Sequence, residues 1–283
     1  MRIPDGWVVE ERHTIGGFVT RERYRLPDGS IRTWSSRRHR KTGLLEEDRK
    51  EEARWWWRPH GLGWWIAILF MIGAFLFALG SFPIYADHVS AHLVGLTYFV
   101  GSIFFTSAGY LQYLQTINTP DEIVDGAEAT PDARRRYLAS QPDRIDWWST
   151  SVQSIGTLLF NASTFWALDL TFGVRQEDRL VWAPDLFGSV AFMIASTLAW
   201  LEVCHGWWRW DPGDTSWRIV ALNLGGSIAF QISAIAAFVR PATGEIANVP
   251  IANLGTFVGA VCFFIGALLL IPEMADRWGR ARP

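Results

Sequence analysis

The sequence lacks the features that mark secreted domains and most soluble enzymes. Its 283 residues include only two cysteines and two lysines, and no stretch matches a nucleotide-binding loop, a zinc-protease helix, a nucleophile elbow or a haem attachment motif. Two cysteines are too few for a small domain stabilised by disulfides. Charge is also scarce, at 19% of residues, while 49% are hydrophobic and fall in long runs. This distribution excludes a soluble enzyme and a disordered chain.

Six apolar stretches of 21 to 23 residues are nearly free of Lys and Arg, and polar or turn-forming residues bound each of them. A stretch of about 20 residues crosses the hydrocarbon layer, about 30 Å thick, as one helix. The sequence therefore predicts an all-α integral membrane protein of six transmembrane helices. The predicted spans are 61–83, 93–115, 149–171, 185–205, 218–239 and 251–272.

Basic residues predict the orientation of these spans. Residues 1–60 are charged and contain no apolar core, so we expect no cleavable signal peptide and a first span that acts as its own insertion signal. With both termini in the cytoplasm, 23 of the 26 Lys and Arg lie inside, as the positive-inside rule requires. Because 24 of all 26 Lys and Arg residues are Arg, a GC-rich bacterial genome and its inner membrane are expected. Cys204 and Cys262 then lie at different depths, so no disulfide is expected.

Tryptophan supports the same orientation. Twelve of the 17 tryptophans lie at the expected cytoplasmic boundary, where an indole ring is half-buried and its N–H stays hydrated. The twelve are Trp55, Trp56, Trp57, Trp64, Trp65, Trp147, Trp148, Trp207, Trp208, Trp210, Trp217 and Trp278.

Each span carries the same short pattern: Gly, then Phe four residues later, then a small residue three further on. These positions share one helix face, and small residues let helix backbones approach closely in lipid. We therefore predict a helix-packing seam, with a substrate-lining face as the alternative. The six copies are Gly73, Phe77 and Gly80; Gly101, Phe105 and Ala108; Gly156, Phe160 and Ser163; Gly188, Phe192 and Ala195; Gly226, Phe230 and Ser233; and Gly259, Phe263 and Gly266.

Short outer connections of 9, 13 and 11 residues indicate three similar helical hairpins, and hence a pseudo-threefold bundle formed by internal repetition. The expected organisation is a basic cytoplasmic head, a first hairpin, a cytoplasmic connector, a second hairpin, a cytoplasmic turn, and a third hairpin with its tail. Their limits are 1–54, 55–115, 116–146, 147–205, 206–217 and 218–283.

The first hairpin carries the segments Met71-Ile72-Gly73, Leu79-Gly80-Ser81 and Phe99-Val100-Gly101-Ser102, followed by Phe105. In these segments, which cover about 55 residues, the chain resembles the YrhK-like domain, a bacterial two-helix membrane module. The resemblance implies an integral membrane protein. It implies no catalytic residues.

Two pairs of amides occupy matching positions in the third and fifth spans. Gln153 and Asn223 precede the glycine by three residues, while Asn161 and Gln231 directly follow the phenylalanine. Amides in a membrane can hydrogen-bond between helices, contributing about 0.6–2 kcal/mol each. Alternatively, they can line a hydrated path for a small solute or ion.

A second polar set lies at the cytoplasmic ends of the even-numbered spans. Its members are Gln115, Asn118, Glu202, His205, Glu273 and Asp276. A carboxylate with a histidine three residues later projects two metal ligands to one side of a helix, so Glu202, His205, Glu273 and Asp276 form a candidate site for Zn²⁺ or Fe²⁺. The favoured interpretation is ion pairing with Arg209, Arg277 and Arg280, and no cofactor is expected.

Residues 5–36 predict a small cytoplasmic β-meander, with turns at Gly16-Gly17 and Pro27-Asp28-Gly29. A basic cluster at 37–41 and a charged helical segment at 44–54 follow. Anionic lipid headgroups of the bilayer explain the cluster best, a protein partner on the cytoplasmic side is the alternative, and nucleic acid is not expected because few exposed aromatics could stack on bases.

These observations favour a non-enzymatic membrane module: a scaffold, an accessory subunit or a sensor. A transporter or channel that uses the amides is the first alternative, and a metalloenzyme at the cytoplasmic face is the second.

Overall fold

The computed structural model describes residues 6–42, 59, 61–119 and 136–279, with side chains in the last helix as far as Glu273. Most of these residues are helical, and a small antiparallel sheet stands at the N-terminal end, as the sequence predicts. The predicted helix at 44–54 and residues 120–135 of the connector 116–146 lie outside the described residues.

The head is a three-stranded antiparallel meander. Its strands are β1 (Val8–Ile15), β2 (Phe18–Arg25) and β3 (Ile31–Ser35), in that order in the sheet. The two predicted turns are confirmed: Gly16 and Gly29 have φ values of +56° and +84°, which glycine adopts without strain. The basic run after β3 folds as a helix, α1 (Ser36–Thr42), which the sequence pattern did not predict.

One face of β2 forms the core of the head. Tyr24 and Thr20 are completely buried there, and Glu22 between them is almost so. Glu22 accepts hydrogen bonds from the Tyr24 hydroxyl and, at 2.5 Å, from Nε of Arg12. Burial and the adjacent carboxylate raise the pKa of Tyr24, so its hydroxyl stays a donor. A buried charge thus finds the partners that it needs.

Six long helices form the rest of the molecule, joined on one side by short elements. In chain order the long helices are α2 (Leu62–Ser81), α4 (Ala91–Ile117), α5 (Ile145–Trp166), α7 (Ala183–Cys204), α8 (Thr215–Ala236) and α9 (Val249–Gly279). The short helices are α3 (Pro83–His88), between α2 and α4, and α6 (Val174–Gln176), between α5 and α7. A π-helical turn over Glu177–Trp182 joins α6 to α7 without a break. We refer to α2 with α4, α5 with α7, and α8 with α9 as the first, second and third hairpins.

Five helical segments among the described residues are long and apolar enough to cross a membrane, which identifies a membrane protein. They are Leu62–Ser81, Ala91–Ile117, Val174–Cys204, Thr215–Ala236 and Val249–Glu273. Helix α5 has 22 residues but is more polar, because its first half carries Asp146 and several hydroxyl side chains. It also ends at Trp166, five residues before the predicted end of the third span.

The six long helices form a closed ring. Each packs against the helices before and after it in the chain, and α9 packs against α2 to complete the circle. Side chains from all six helices meet along the centre of this ring in one apolar core. The head lies against the end of the bundle where α4 ends and α5 begins.

Candidate functional site

Six phenylalanines fill the middle of the helix ring. Those of the odd-numbered spans, Phe77, Phe160 and Phe230, form a triangle with ring centroids 6.1–6.3 Å apart. Those of the even-numbered spans form a second triangle, with centroids 5.5–6.3 Å apart; its members are Phe105, Phe192 and Phe263. Within each hairpin the two rings are 5.1–5.4 Å apart, so the triangles stack on each other. The bundle is closed at this level by aromatic packing.

Each hairpin places the phenylalanine of one helix on the glycine of the other. A methyl group added at Gly73 would lie 2.9 Å from the Phe105 ring, and one at Gly101 would lie 2.9 Å from the Phe77 ring. Real side chains do not approach so closely, so only glycine leaves room for the ring. The same reciprocal contact joins Gly156 with Phe192, Gly188 with Phe160, Gly226 with Phe263, and Gly259 with Phe230.

The small residues that end each pattern are also at helix contacts or buried. Gly80 lies under the Tyr98 ring, and the Asn223 amide oxygen lies 2.6 Å from the position of a methyl group on Gly266. Ser163 and Ser233 donate hydrogen bonds to carbonyl oxygens of neighbouring segments. Ala108 and Ala195 are buried. All eighteen residues of the pattern thus lie on inward or helix-facing sides.

The four amides of the predicted polar path do not share one surface. Asn161 of α5 donates to Thr106 of α4 and accepts from the Ser102 hydroxyl at 2.7 Å, so it joins the first and second hairpins. Asn223 instead packs against α9 within the third hairpin. Gln153 and Gln231 are half-buried on α5 and α8. The two asparagines therefore face different interfaces.

At the end of the bundle near the head, α1 inserts its polar side chains between carboxylates of three helices. We call this set the charged joint. It consists of Ser36, Arg37, Arg40 and Lys41 of α1, together with Asp146 of α5, Glu202 of α7 and Glu273 of α9.

Glu202 and Asp146 share the cation of Arg40. Arg40 Nη2 lies 3.7 Å from Glu202 Oε2, and Nη1 lies 4.0 Å from Asp146 Oδ2. Glu202 also accepts a 2.7 Å hydrogen bond from the Ser36 hydroxyl, and Asp146 accepts two from Arg144. Both carboxylates are buried, at 1% and 0% exposed. Buried charges of this kind are tolerated only when they are paired.

Glu273 binds the other two cations of the joint. It accepts a 3.0 Å hydrogen bond from Arg37 Nε and a 2.6 Å hydrogen bond from the Ser216 hydroxyl of α8, and it pairs with Lys41. Burial lowers the pKa of Arg37, against the opposing attraction of Glu202 and Asp214. Helix α1 is thus held by all three hairpins, because Thr119 at the end of α4 also donates to its last turn, at Arg40 O.

These contacts correct the predicted ion pairs. Glu202 and Glu273 pair with cations of the head, whereas Arg209 pairs with Asp211 at 2.5 Å. Arg277 and Arg280 lie outside the described side chains. Gln115 is buried, and Asn118 binds backbone atoms of Arg136 rather than a charged group.

The structure also separates the candidate metal ligands. The carboxylates of Glu202 and Glu273 face α1, the side chain of Asp276 is outside the described part, and His205 faces His13 of β1, with ring centroids 6.1 Å apart. Within the described residues, no three His, Cys, Asp or Glu side chains are grouped as metal ligands would be. Cys204 and Cys262 are free thiols.

His205 ends α7 in a left-handed conformation, with φ of +53°, and its Nδ1 is buried without a hydrogen-bond partner. Loss of hydration lowers its pKa to about 4, helped by the nearby cations Arg21 and Arg209 and by His13. The apolar side chains Ile15 and Phe18, at the β1–β2 turn, pack beside it on a cluster centred on Trp200 and Trp217. The head therefore has two attachments, one apolar and one charged.

Sequence reasoning missed two members of this end of the bundle, Asp146 and Ser216, although a signal for them exists. Each directly precedes a tryptophan that stands five residues after a proline, and the same spacing recurs at Pro59 and Trp64. The residue after that tryptophan donates to the proline carbonyl: Trp65 to Pro59 at 2.8 Å, Trp148 to Pro142 at 3.0 Å, and Arg218 to Pro212. In all three hairpins, this proline precedes the patterned glycine of the first long helix by the same number of residues.

Comparison of the chain with protein-family models, with curated proteins and with solved structures finds no match.

Proposed function

We propose that the protein is a non-enzymatic membrane scaffold whose helix bundle holds a small cytoplasmic head in a fixed position. The observation that carries this proposal is the charged joint. Three cations of one short helix, Arg37, Arg40 and Lys41, meet carboxylates of three separate bundle helices. Such an arrangement specifies position and orientation more than it adds stability, because desolvation offsets much of the attraction between buried charges.

The proposal includes six membrane crossings, with α5 as the sixth. At 1.5 Å per residue, its 22 residues extend about 33 Å, enough to span the hydrocarbon layer. Its polar side chains are turned to neighbouring helices: Ser149 donates to Ala195 O, and Ser154 donates to Gly109 O. A helix that is polar only toward its partners can stand in lipid.

We further propose that the three hairpins are an internal repeat and that both termini face the cytoplasm of a bacterium. The reciprocal glycine–phenylalanine contacts and the proline–tryptophan spacing support repetition, since both recur at the same offsets. The distribution of Lys and Arg supports the orientation. The resemblance to the YrhK-like domain concerns α2 and α4, and it stays a prediction.

Two features favour a scaffold over the alternatives. The stacked phenylalanine triangles occupy the axis along which a solute would pass. The carboxylates proposed for a metal are turned to cations of α1. At neither of these two places does a reacting group face an open cavity, as an enzyme requires.

The scaffold can be tested by photo-crosslinking from the head in living cells. A crosslinking amino acid at the exposed position Arg23 should capture a defined protein in the wild-type chain. Combining it with Glu202→Gln and Glu273→Gln should remove or change that adduct, because the head loses its fixed position. Glu10→Gln, which neutralises a carboxylate within the head only, is the matched control.

Adducts that are the same with and without the charged joint would count against a scaffold. Transport is tested separately in proteoliposomes with the purified full chain. Flux of a small solute or ion that disappears in an Asn161→Leu, Gln231→Leu double variant would establish the transporter instead.

A further inference from the structure

The cations of α1 can bind two different partners, the carboxylates of the bundle and anionic lipid headgroups. In the structure, Arg37, Arg40 and Lys41 face the carboxylates of the charged joint, while Arg38 between them is exposed. The same end of the bundle carries exposed indoles, including Trp65 at 45% and Trp148 at 40%, which mark the headgroup layer. Helix α1 therefore lies near anionic lipid while it is bound to protein.

The docked contact is incomplete. Arg40 Nε and Glu202 Oε2 are both buried without a hydrogen-bond partner, and the Arg40 guanidinium stands 3.7–4.0 Å from its two carboxylates. A buried polar atom without a partner destabilises the state that buries it. Release of α1 to water or to headgroups would hydrate or pair these atoms, which reduces the free-energy gap between docked and released positions.

Anionic lipid offers a competing site for the same cations. Each Lys or Arg near an anionic inner leaflet strengthens membrane binding about fivefold, and residues 37–41 include four such cations. The helix has only seven residues, so few backbone contacts hold it in place. The apolar attachment through Ile15 and Phe18 is separate, so α1 can leave while the sheet stays near the bundle.

We propose that α1 is an electrostatic switch, exchanging between the bundle carboxylates of the charged joint and anionic lipid headgroups of the cytoplasmic leaflet. The docked state hides Asp146, Glu202 and Glu273, and the lipid-bound state uncovers them. This inference rests on the proposed scaffold and adds lipid composition as the signal that sets the position of the head helix.

The test measures a distance in the full chain reconstituted in nanodiscs. Spin labels at Arg38→Cys on α1 and Gly213→Cys on the exposed connection before α8 are introduced with both native cysteines replaced by alanine. Phosphatidylcholine discs should give one docked distance. Discs with equal parts of phosphatidylglycerol should add a second, released population, whereas inorganic phosphate added to phosphatidylcholine discs should not.

A charge variant sharpens the measurement. Glu273→Gln leaves Arg37 and Lys41 without their carboxylate, so the ratio of released to docked molecules in anionic discs should rise by more than about a hundredfold. Glu10→Gln, which removes a carboxylate from an ion pair inside the head, should leave the ratio unchanged.

A single docked distance in both kinds of disc, for the wild type and for Glu273→Gln, would overturn the switch and leave the scaffold intact. A released population produced by phosphate alone would overturn lipid as the signal. If no docked distance occurred in any disc, the fixed head of the proposed function would fail with it.

Discussion

The middle of the bundle and its charged end are built on opposite principles. In the middle, six phenylalanines and six glycines fit by shape. At the charged joint, shape matters less than pairing, because each buried carboxylate lies beside a cation of the head. The glycine–phenylalanine contacts are local to each hairpin and do not depend on salt concentration. The charged joint connects distant parts of the chain, and its strength depends on charge and therefore on salt.

The largest expected effect comes from removing one charge at the joint. Glu202→Gln leaves Arg40 buried beside a neutral amide, and loss of one partner from a buried pair destabilises by about 3–5 kcal/mol. Glu10→Gln removes a carboxylate from a more exposed pair, where about 0–1 kcal/mol is expected. The free energy of unfolding of both variants in detergent makes the comparison; equal losses would mean that burial of the joint has no energetic weight.

The next effect breaks the shape fit in the middle. A side chain at Gly156 would lie 2.8 Å from Phe192 and 3.1 Å from Gly188 O, so Gly156→Leu should destabilise the bundle by about 1–3 kcal/mol. At Gly225 of α8, no atom lies within 4 Å of an added methyl group. Gly225→Leu is therefore the matched control, and thermal unfolding should separate the two. Similar melting temperatures would refute the tight glycine contact.

A smaller effect is expected where hairpins meet through hydroxyl groups. Ser102 of α4 donates to Asn161 of α5 at 2.7 Å, so Ser102→Ala should reduce stability by about 0.6–2 kcal/mol. Among the described residues, Ser107 donates only to Ile103 O of its own helix, so Ser107→Ala is expected to be neutral. Unfolding in mixed detergents can resolve such a difference. If Ser107→Ala were the more harmful change, the interhelical bond would not be the source of stability.

The last effect, which is small near neutral pH, is a dependence on pH at the head. The pKa of His205 is about 4 when the head is docked and 6.5 when the group is free, so docking favours the neutral ring. Stability of the docked head is therefore complete above pH 6.5 and declines as the pH falls from 6.5 toward 4. His205→Asn keeps the left-handed backbone and should flatten this dependence. Protease cleavage of the head across this pH range measures it, with His88→Asn in the short helix α3 as control.

The predictability of the two regions differs for a physical reason. The glycine–phenylalanine pattern is periodic and local, so its residues could be selected from the sequence and then found on facing helices. The head meander was equally visible from its turns at Gly16 and Gly29. Both depend on neighbours close along the chain.

The charged joint could not be predicted in the same way. Ser36 and Glu202 are separated by 166 positions, and Arg37 and Glu273 by 236, so no spacing relates them. Sequence reasoning selected Glu202 and Glu273 as unusual but assigned them to nearby arginines. Helix α5 fell between the two cases: its length fits a span, yet its polar face obscured the hydropathy signal.

The closing contact of the ring has a consequence for biosynthesis. Hydroxyl and amide groups link α4 to α5 and α7 to α8, for example through Ser196 and Ser227, but the matching positions after the glycine in α2 and α9 are Ala74 and Ala260, both completely buried. Helix α9 leaves the ribosome after α2 to α8. It can slide sideways through the lipid and meet α2 with an alanine, and no hydroxyl group, at this matching position, so closing the ring there needs no polar intermediate.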